Sequence, residues 1–493
     1  MRKTTAFVAA VAAGLAVGGT VGLLVRRPRA DPTRAVAGRS AASRNAQLAA
    51  AGARAGAGYA VHRARRVFTP PEERAALDEA HQIRTTAQVV ETLGQMKGAL
   101  MKIGQMASYL DDGLPEPVQA ALATLQQDAP AMSPELCAQV VRAELGGDPA
   151  TVFASWDPAP IAAASIGQVH RARTLDGIDV AVKVQFPGVD EAIRADLTTS
   201  DVLFRAISLL FPGLDPAPLV EELRARLVEE LDYTQEAANQ RLFADYYAGH
   251  PYVRIPRVVD ELSTARVLTT EYATGARFAE VEQWSQAERD LAAECIYRFV
   301  FRSLYRLHAF NGDPHPGNYL FSGGGVVTFL DFGLVKHYAP DEVALFEDLI
   351  RAMVLEHDIP RFRSVLEAHD VLRRDAPFGN DDVREYFGHF YEFVDEDRVV
   401  TFSPEYASET VRRFFDTTGP YAHVAKASNV PPAFVITQRI NLGLHAVLGR
   451  LRATANFRKI AEELWPMVDG PPSTPMGEAE AAWLSTRTNI RQL

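Results

Sequence analysis

The sequence is poor in cysteine, with only Cys137 and Cys295 in 493 residues. The two lie far apart in the chain and match no metal-binding or redox spacing. A disulfide framework is therefore not expected, and a reducing compartment is the default. The chain also lacks internal repeats and, after residue 66, any long low-complexity block. Its length is too great for one compact core and favours two or three folding units.

Acidic residues are almost missing from the N-terminal region. Residues 1–66 hold one acid, Asp31, against twelve Lys or Arg, which gives them a formal charge of +11. Because the whole chain has a net charge of −11, the remaining 427 residues carry −22. Such an acidic body argues against a nucleic-acid partner. The basic residues 1–66 favour contact with the lipid surface of a membrane, which can be anionic.

Charge is absent altogether from Thr4–Val25, twenty-two residues that are enough to cross a bilayer as a helix. We predict that residues 1–29 are a single-pass membrane anchor. The heavier positive charge on its C-terminal side predicts that the body lies in the cytoplasm. A cleaved signal peptide is the alternative, and it is disfavoured because the run ends at Arg26 and Arg27 instead of a small-residue site.

Glycines recur every fourth residue in this segment, at Gly14, Gly18 and Gly22. Such a stripe allows two helices to pack closely, so a homodimer is a candidate assembly. An unpartnered Ala/Gly-biased helix is the alternative. Residues 30–71 follow as a basic linker rich in Ala, Gly and Arg.

The rest of the chain predicts an α+β protein. We assign a helical extension to residues 72–150, a β-rich lobe to 151–275, a helical lobe to 276–469 and a tail to 470–493. Ser133 followed by Pro134 predicts a helix start. Three further elements carry the lobe assignments: apolar β runs over Ile161–Ala172 and Ile178–Gln185, and a long acidic helix over Leu219–Tyr247.

The most informative motif lies at the start of the helical lobe. Asp313 and Asn318 are five residues apart, and Asp331-Phe332-Gly333 follows thirteen residues after Asn318. Protein-kinase-like enzymes arrange a catalytic base and two magnesium ligands in this order. Asp313 is therefore the candidate base, and Asn318 and Asp331 are the candidate Mg²⁺ ligands. Ordinary turn chemistry explains each piece alone but not the ordered set.

A cation in the β-rich lobe fits the same chemistry. Lys183 stands alone in the apolar strand Val180–Gln185, where a kinase-like lobe needs a lysine to hold nucleotide phosphates. Such a lysine needs an acidic partner on the following helix. Six residues compete for that role, and spacing alone does not choose among them: Glu221, Glu222, Glu229, Glu230, Asp232 and Glu236.

A glycine-rich phosphate loop is missing. Where it is expected, before the strand of Lys183, the chain has Ala162-Ala163-Ala164-Ser165. Alanine restricts the backbone and its close approach to phosphates, so this loop is expected to be stiffer. Ordinary protein phosphorylation is therefore disfavoured, although the same residues are assigned to nucleotide binding.

Together these motifs resemble the UbiB/AarF family of atypical kinases, whose relatives support ubiquinone and other isoprenoid-quinone pathways. The resemblance covers residues 95 to 450, and its motifs are Lys102-Ile103-Gly104-Gln105, Ala162–Ala172, Val180–Pro187, Glu230–Asn239, Asp313–Asn318 and Asp331–Gly333. It implies a two-lobed protein-kinase-like fold with a family-specific helical extension. One departure is Asn311-Gly312, where relatives commonly have His-Ala before the catalytic Asp.

The resemblance implies roles that spacing does not assign. Glu236 becomes the partner of Lys183, and Glu230 and Asp232 face Lys102. Lys102 and Gln105 then form a regulatory lid where a protein kinase admits a peptide. Such a lid favours ATP hydrolysis or a small lipid-like substrate. We also assign to the nucleotide-binding set two residues at the end of a predicted strand, Glu271 and Tyr272.

The predicted function is thus a membrane-anchored atypical kinase or ATPase. Its cofactors are ATP (or ADP) and Mg²⁺, and its partners are quinone-pathway proteins or lipid intermediates. It serves isoprenoid-quinone or related lipid metabolism. Two alternatives stay open: a nucleotide-gated lipid-binding or scaffolding protein without essential phosphotransfer, and a small-molecule kinase.

Overall fold

The computed structural model describes residues 132–164, 166–190, 228–311, 314–415, 419–428 and 432–487. The predicted anchor, the basic linker and most of the helical extension lie outside these ranges, as do Lys102, Gln105, Ser165 and Asp313. Within the described ranges, no helix is both long enough and apolar enough to cross a membrane.

A four-stranded antiparallel sheet forms the first lobe, in the order β1-β2-β3-β5. Its strands are β1 (Ser155–Ala163), β2 (Gly167–Arg173), β3 (Asp179–Gln185) and β5 (Val267–Glu271). In β3 the valines alternate, so Val180, Val182 and Val184 are buried together on one face. Helix α1 (Pro134–Leu145) packs on that face, with the short helix α2 (Pro149–Val152) after it.

The start of α1 is as predicted. Ser133 is the N-cap, its side chain accepts from the backbone N–H of Leu136, and Pro134 occupies the first turn. The predicted run Ile161–Ala172 is corrected, because the chain turns back between Ala163 and Gly167 and forms two paired strands. The alanine-rich segment therefore lies at the tip of a hairpin.

The predicted helix over Leu219–Tyr247 is also corrected. Residues 228–230 are helical, but the chain leaves the helix at Leu231 and Asp232, and helix α3 runs from Tyr233 to Tyr246. Asp232 has extended dihedrals and accepts from the backbone N–H of Thr234, which makes it the N-cap of α3. Residues 219–227 lie outside the described part.

Two small sheets carry the loops of the predicted catalytic motifs. One has the order β4-β8-β7, from β4 (Val253–Arg254), β7 (Tyr319–Ser322) and β8 (Val326–Phe329). The other pairs β6 (Ala309–Asn311) with β9 (Val335–His337). Both pack against α5 (Gln286–Leu307), whose middle is buried in the main hydrophobic core.

The second lobe is helical around this core. Besides α5 it contains α4 (Phe278–Val281), α6 (Pro340–Ile350), α7 (Ile359–Ala368), α8 (Asn380–Gly388), α9 (Glu392–Asp395), α10 (Pro404–Phe415), α11 (Ala422–Ala427), α12 (Pro432–Leu451) and α13 (Phe457–Leu464). A π-helical turn, Arg351–Leu355, continues α6, and a two-stranded ribbon joins β10 (Val400–Thr401) to β11 (Thr454–Ala455).

The predicted tail over residues 470–493 is corrected within its described part. Helix α14 (Pro475–Ser485) follows the proline-rich segment and buries Met476, Glu480 and Trp483. Trp483 packs on the Tyr246 ring of α3, and Glu480 joins a buried ion network with α5. The segment assigned as a tail therefore includes a packed helix.

Candidate functional site

The sheet register places the candidate phosphate-binding residues in one row. Lys183 of β3 is paired with Val169 of β2, and Val169 is paired with Ala162 of β1. Ala163 and Ala164 follow Ala162 at the hairpin tip, where the backbone N–H of Ala164 donates to Gly167 O at 2.9 Å. The alanine-rich tip and Lys183 therefore lie at the same end of the sheet.

Gly167 is required by close packing under this tip. A Cβ at this position would lie 2.3 Å from the carbonyl oxygen of Val184 and 2.8 Å from the hydroxyl of Tyr233. Both neighbours are held in a strand or a helix, so neither can move aside cheaply. The glycine that follows the alanines thus fixes the distance between the hairpin and α3.

Lys183 is paired with Glu236 of α3. Its Nζ donates to both carboxylate oxygens at 2.8 Å and lies 3.6 Å from Oδ2 of Asp331. The Lys183 and Glu236 side chains are 13% and 4% exposed, whereas that of Asp331 is 33% exposed. Of the acidic residues that compete in the sequence, the fold brings Glu236 to the lysine. One cation therefore faces two carboxylates, and Asp331 is the one open to a ligand.

Burial and charge shift the pKa values of this group. Burial lowers the pKa of Lys183, but Asp331 and Glu236 more than offset this, so its pKa is raised well above the ordinary value. Burial raises the pKa of Glu236 to about 7; Lys183 opposes the shift and Asp331 adds to it. The group therefore has more negative charge than one lysine neutralises, which suits a site for a further cation.

A β-hairpin brings the two candidate metal ligands together. Strands β7 and β8 pair from Tyr319 with Phe329 onward, and one step further Leu330 donates its backbone N–H to Asn318 O at 3.0 Å. Asn318 and Asp331 therefore flank the open end of one hairpin, although thirteen residues separate them. Asp313 lies outside the described residues, so its assignment as base stays a prediction.

These donors fit magnesium. The described residues contain no group of three His, Cys, Asp or Glu side chains arranged to hold a metal ion. Asn318 and Asp331 instead offer hard oxygen atoms, which Mg²⁺ prefers, and nucleotide phosphates normally complete such a site. The residues present thus match a nucleotide-dependent magnesium site, not a cage built of protein ligands alone.

The remaining predicted residues lie elsewhere. Asp232 uses Oδ1 to accept from both the backbone and the hydroxyl of Thr234, and Glu230 is buried. Their predicted pairing with Lys102 stays a prediction. Glu271 accepts from the backbone N–H of Arg257, and the Arg171 guanidinium lies 4.5 Å from the centroid of the Tyr272 ring. Both lie at the opposite end of the sheet from the alanine-rich tip.

Sequence reasoning missed the face of α3 that holds the Asp-Phe-Gly segment. Asn239 donates from Nδ2 to Phe332 O at 3.2 Å, and the Phe243 ring lies 5.1 Å from that of Phe332. Glu236, Asn239 and Phe243 are spaced by three and four residues and so share one helix face. This spacing is visible in the sequence, but what the face contacts is not.

Comparison with known proteins places this site in a family. The model of the ABC1 atypical kinase-like domain matches residues 124–365. A solved structure titled as the complex of Rv3197 with erythromycin from Mycobacterium tuberculosis is 31% identical, with a TM-score of 0.58, and the match covers 80% of this chain and 98% of that one. The chain belongs to the UbiB/AarF family of atypical kinases, also called ABC1. The resemblance inferred from the motifs and the kinase-like α+β fold are thereby confirmed.

Curated relatives include atypical kinases of eukaryotic organelles. The mitochondrial atypical kinase COQ8B of Rattus norvegicus is 35% identical over 267 residues, which are 54% of this chain and 51% of the relative. The mitochondrial COQ8 of Saccharomyces cerevisiae is 31% identical over 265 residues, 53% of each chain. This chain therefore spans about half the length of these relatives, and the match concerns the kinase-like domain.

Proposed function

We propose that this chain is a membrane-anchored, magnesium- and ATP-dependent atypical kinase or ATPase that serves isoprenoid-quinone or related lipid metabolism. The observation that carries the proposal is the contact of Lys183 with Glu236 at 2.8 Å and with Asp331 at 3.6 Å. Asn318 lies at the same end of the β7–β8 hairpin as Asp331, which also supports the proposal. An ion pair between Lys183 and Glu236 that served only stability would not need Asn318 and the second carboxylate, Asp331, beside it.

Each residue has a stated task in this proposal. Lys183, fixed by Glu236, binds and orients the nucleotide phosphates. Asn318 and Asp331 hold Mg²⁺, which when bound neutralises charge that develops on the phosphates. Asp313 accepts the proton of the attacking hydroxyl or water. The Ala162–Ala164 tip limits how closely the backbone approaches the phosphates, which favours hydrolysis or a small acceptor over a peptide.

The membrane and lipid parts of the proposal rest on the sequence. The apolar segment Thr4–Val25 and the positive charge of residues 1–66 support an anchor beside anionic lipid. An acceptor that is a lipid intermediate would reach the cleft, by which we mean the site around Lys183, Asn318 and Asp331, from that surface. Quinone-pathway proteins are the proposed partners.

Asp331→Asn and Lys183→Ala test the site. Asp331→Asn should abolish the magnesium-dependent binding of ATP, because the neutral amide removes the negative charge that the carboxylate brings to Mg²⁺. Lys183→Ala should weaken nucleotide binding by roughly tenfold or more, as expected for a lost charged hydrogen bond. Both are measured by ATP-induced thermal shifts with and without Mg²⁺, and by phosphate release with and without anionic liposomes. If both variants bind and hydrolyse ATP normally, the site is misassigned.

A second candidate is ligand binding without essential phosphotransfer. It is favoured by the Mycobacterium tuberculosis relative, whose structure is titled as an erythromycin complex, and by the alanines at the phosphate loop. Under this function, Asp313→Asn should complement a deletion strain. Failure to complement, with nucleotide binding retained, favours catalysis. Release of a phosphorylated soluble metabolite would instead indicate a small-molecule kinase.

A further inference from the structure

Two side-chain amides hold consecutive carbonyl groups of the Asp-Phe-Gly segment. Asn311 donates from Nδ2 to Asp331 O at 2.8 Å, and Asn239 donates from Nδ2 to Phe332 O at 3.2 Å. A carbonyl oxygen only accepts hydrogen bonds, so in each case the NH₂ end of the amide must face it. The orientation of both asparagines is therefore fixed by chemistry.

The two amides reach the segment from different elements. Asn311 ends β6, the strand that leads into the loop of Asp313 and Asn318, and it is paired with Val335 of β9. Asn239 belongs to α3, three residues after Glu236. Its Oδ1 accepts from Nε2 of His337 at 3.0 Å, and His337 also lies on β9. The segment is thus tied both to the catalytic-loop strand and to the helix that fixes Lys183.

We propose that Asn311 and Asn239 are positioning residues that hold the backbone of Asp331 so that its carboxylate is presented to the metal and to Lys183. This inference rests on the proposed function. With the backbone held, Oδ1 of Asp331 accepts from the N–H of Gly333 at 2.9 Å and Oδ2 lies toward Lys183. Free rotation of the segment would disturb both contacts.

Asn311 lies where this chain departs from the pattern of the family that it resembles. The resemblance to the family implies a histidine at this place, and a histidine ring N–H is a hydrogen-bond donor as well. Asn311 supplies a donor to Asp331 O from a shorter side chain. In this chain the contact with Asp331 O is therefore present despite the departure.

Four variants and one control separate a positioning role from a general effect on stability. Asn311→Leu and Asn311→Asp both remove the donor, the second at nearly constant size, and Asn311→His restores one. Asn239→Leu removes the other amide. Asn380→Asp makes the same chemical change at an exposed residue of α8 and serves as control. The first readout is amide hydrogen exchange of the peptide 330–336 without nucleotide. The second is the Mg²⁺ concentration that gives half of the ATP-induced thermal shift.

We expect Asn311→Leu, Asn311→Asp and Asn239→Leu to accelerate exchange and to raise the required Mg²⁺ roughly two- to tenfold, the value of one hydrogen bond. Asn311→His and Asn380→Asp should remain near wild type. The proposal is overturned if donor removal lowers the melting temperature but changes neither readout, or if Asn311→His is as defective as Asn311→Leu. If wild type shows no Mg²⁺-dependent response, the proposed function fails, while hydrogen exchange still decides the positioning role.

Discussion

The molecule contains two clusters of charged side chains that differ in their exposure to solvent. In the cleft, Lys183 faces Glu236 and Asp331, and Asp331 is one-third exposed. Between α5, α13 and α14, Arg298 contacts Glu294, Glu463 and Glu480 at 2.7 to 3.0 Å, and every one of these side chains is less than 9% exposed. We refer to this second group, which also includes Arg302 and His250, as the scaffold network.

The two clusters differ in burial and in the number of charged hydrogen bonds that each carboxylate accepts. In the scaffold network Arg302 and Glu480 form a two-point contact, with Nη2 to Oε2 at 2.9 Å, and His250 Nε2 lies 3.3 Å from Glu480. Burial raises the pKa of Glu480, but Arg302, His250 and Arg298 lower it further, so it is held below its usual range. The pKa of Glu236 is instead raised to about 7. The buried cluster with many hydrogen bonds fixes the fold, whereas the partly exposed carboxylate of Asp331 is open to a ligand.

Breaking the scaffold network should produce the largest effect, a loss of folding stability. Glu480→Leu leaves Arg302 and Arg298 buried with a partner missing, which costs about 3–5 kcal/mol of unfolding free energy. Urea denaturation of the variant and of wild type measures this loss of unfolding free energy. The double variant Glu480→Leu with Arg302→Leu removes both charges and should recover part of the loss. A loss below about 1 kcal/mol would show that water reaches this network.

The cleft should instead be sensitive to pH. Glu236 has an ordinary pKa of 4.5 and a folded pKa of about 7, so between these values the folded state binds more protons than the unfolded state. Its contribution to stability therefore falls as pH rises from 4.5 to 7. Over the upper part of this range Glu236 ionises and its pairing with Lys183 strengthens, so we expect ATP binding with Mg²⁺ to tighten.

Glu236→Gln tests this pH dependence, because the amide has nearly the same size and does not titrate. ATP affinity should become nearly constant between pH 6 and 8 in the variant, as measured by titration calorimetry. Glu392→Gln, at an exposed carboxylate that contacts His389, is the control and should keep the wild-type profile. A wild-type profile without an inflection near pH 7 would contradict the raised pKa.

The smallest effect, a modest loss of turnover, should arise where the helical lobe contacts the loop of Asp313. A Cβ on Gly443 of α12 would lie 2.4 Å from Cγ of Pro314, a rigid ring next to Asp313. Gly443→Ala should therefore shift the loop and lower turnover a few-fold, with ATP affinity nearly unchanged. Gly388→Ala, where a Cβ meets nothing within 4 Å, is the matched control. Steady-state kinetics separates kcat from KM, and equal activities would mean that Pro314 yields freely.

The local chemistry of several elements could be predicted from the sequence. Ser133 with Pro134 specifies a helix start wherever it lies, and the alternating valines around Lys183 specify a half-buried strand. Other predictions failed because tertiary contacts decide them. The helix predicted to run from Leu219 is broken at Asp232, whose side chain caps α3. The segment after Gly470 folds because Glu480 is neutralised by arginines that are distant in sequence.

By itself the sequence determined which chemical groups are available: a lone strand lysine, two oxygen ligands in order, and a run of alanines where glycines are usual. Their spacing along the chain was sufficient to indicate the family. The family resemblance already implied that Glu236 is the partner of Lys183, and the tertiary structure brings the two side chains together. Only the tertiary structure decided that Asn239 and Asn311 hold the Asp331 segment. Hydrogen bonds and ion pairs act over about 3 Å, and the packing of strands and helices decides which distant residues come that close.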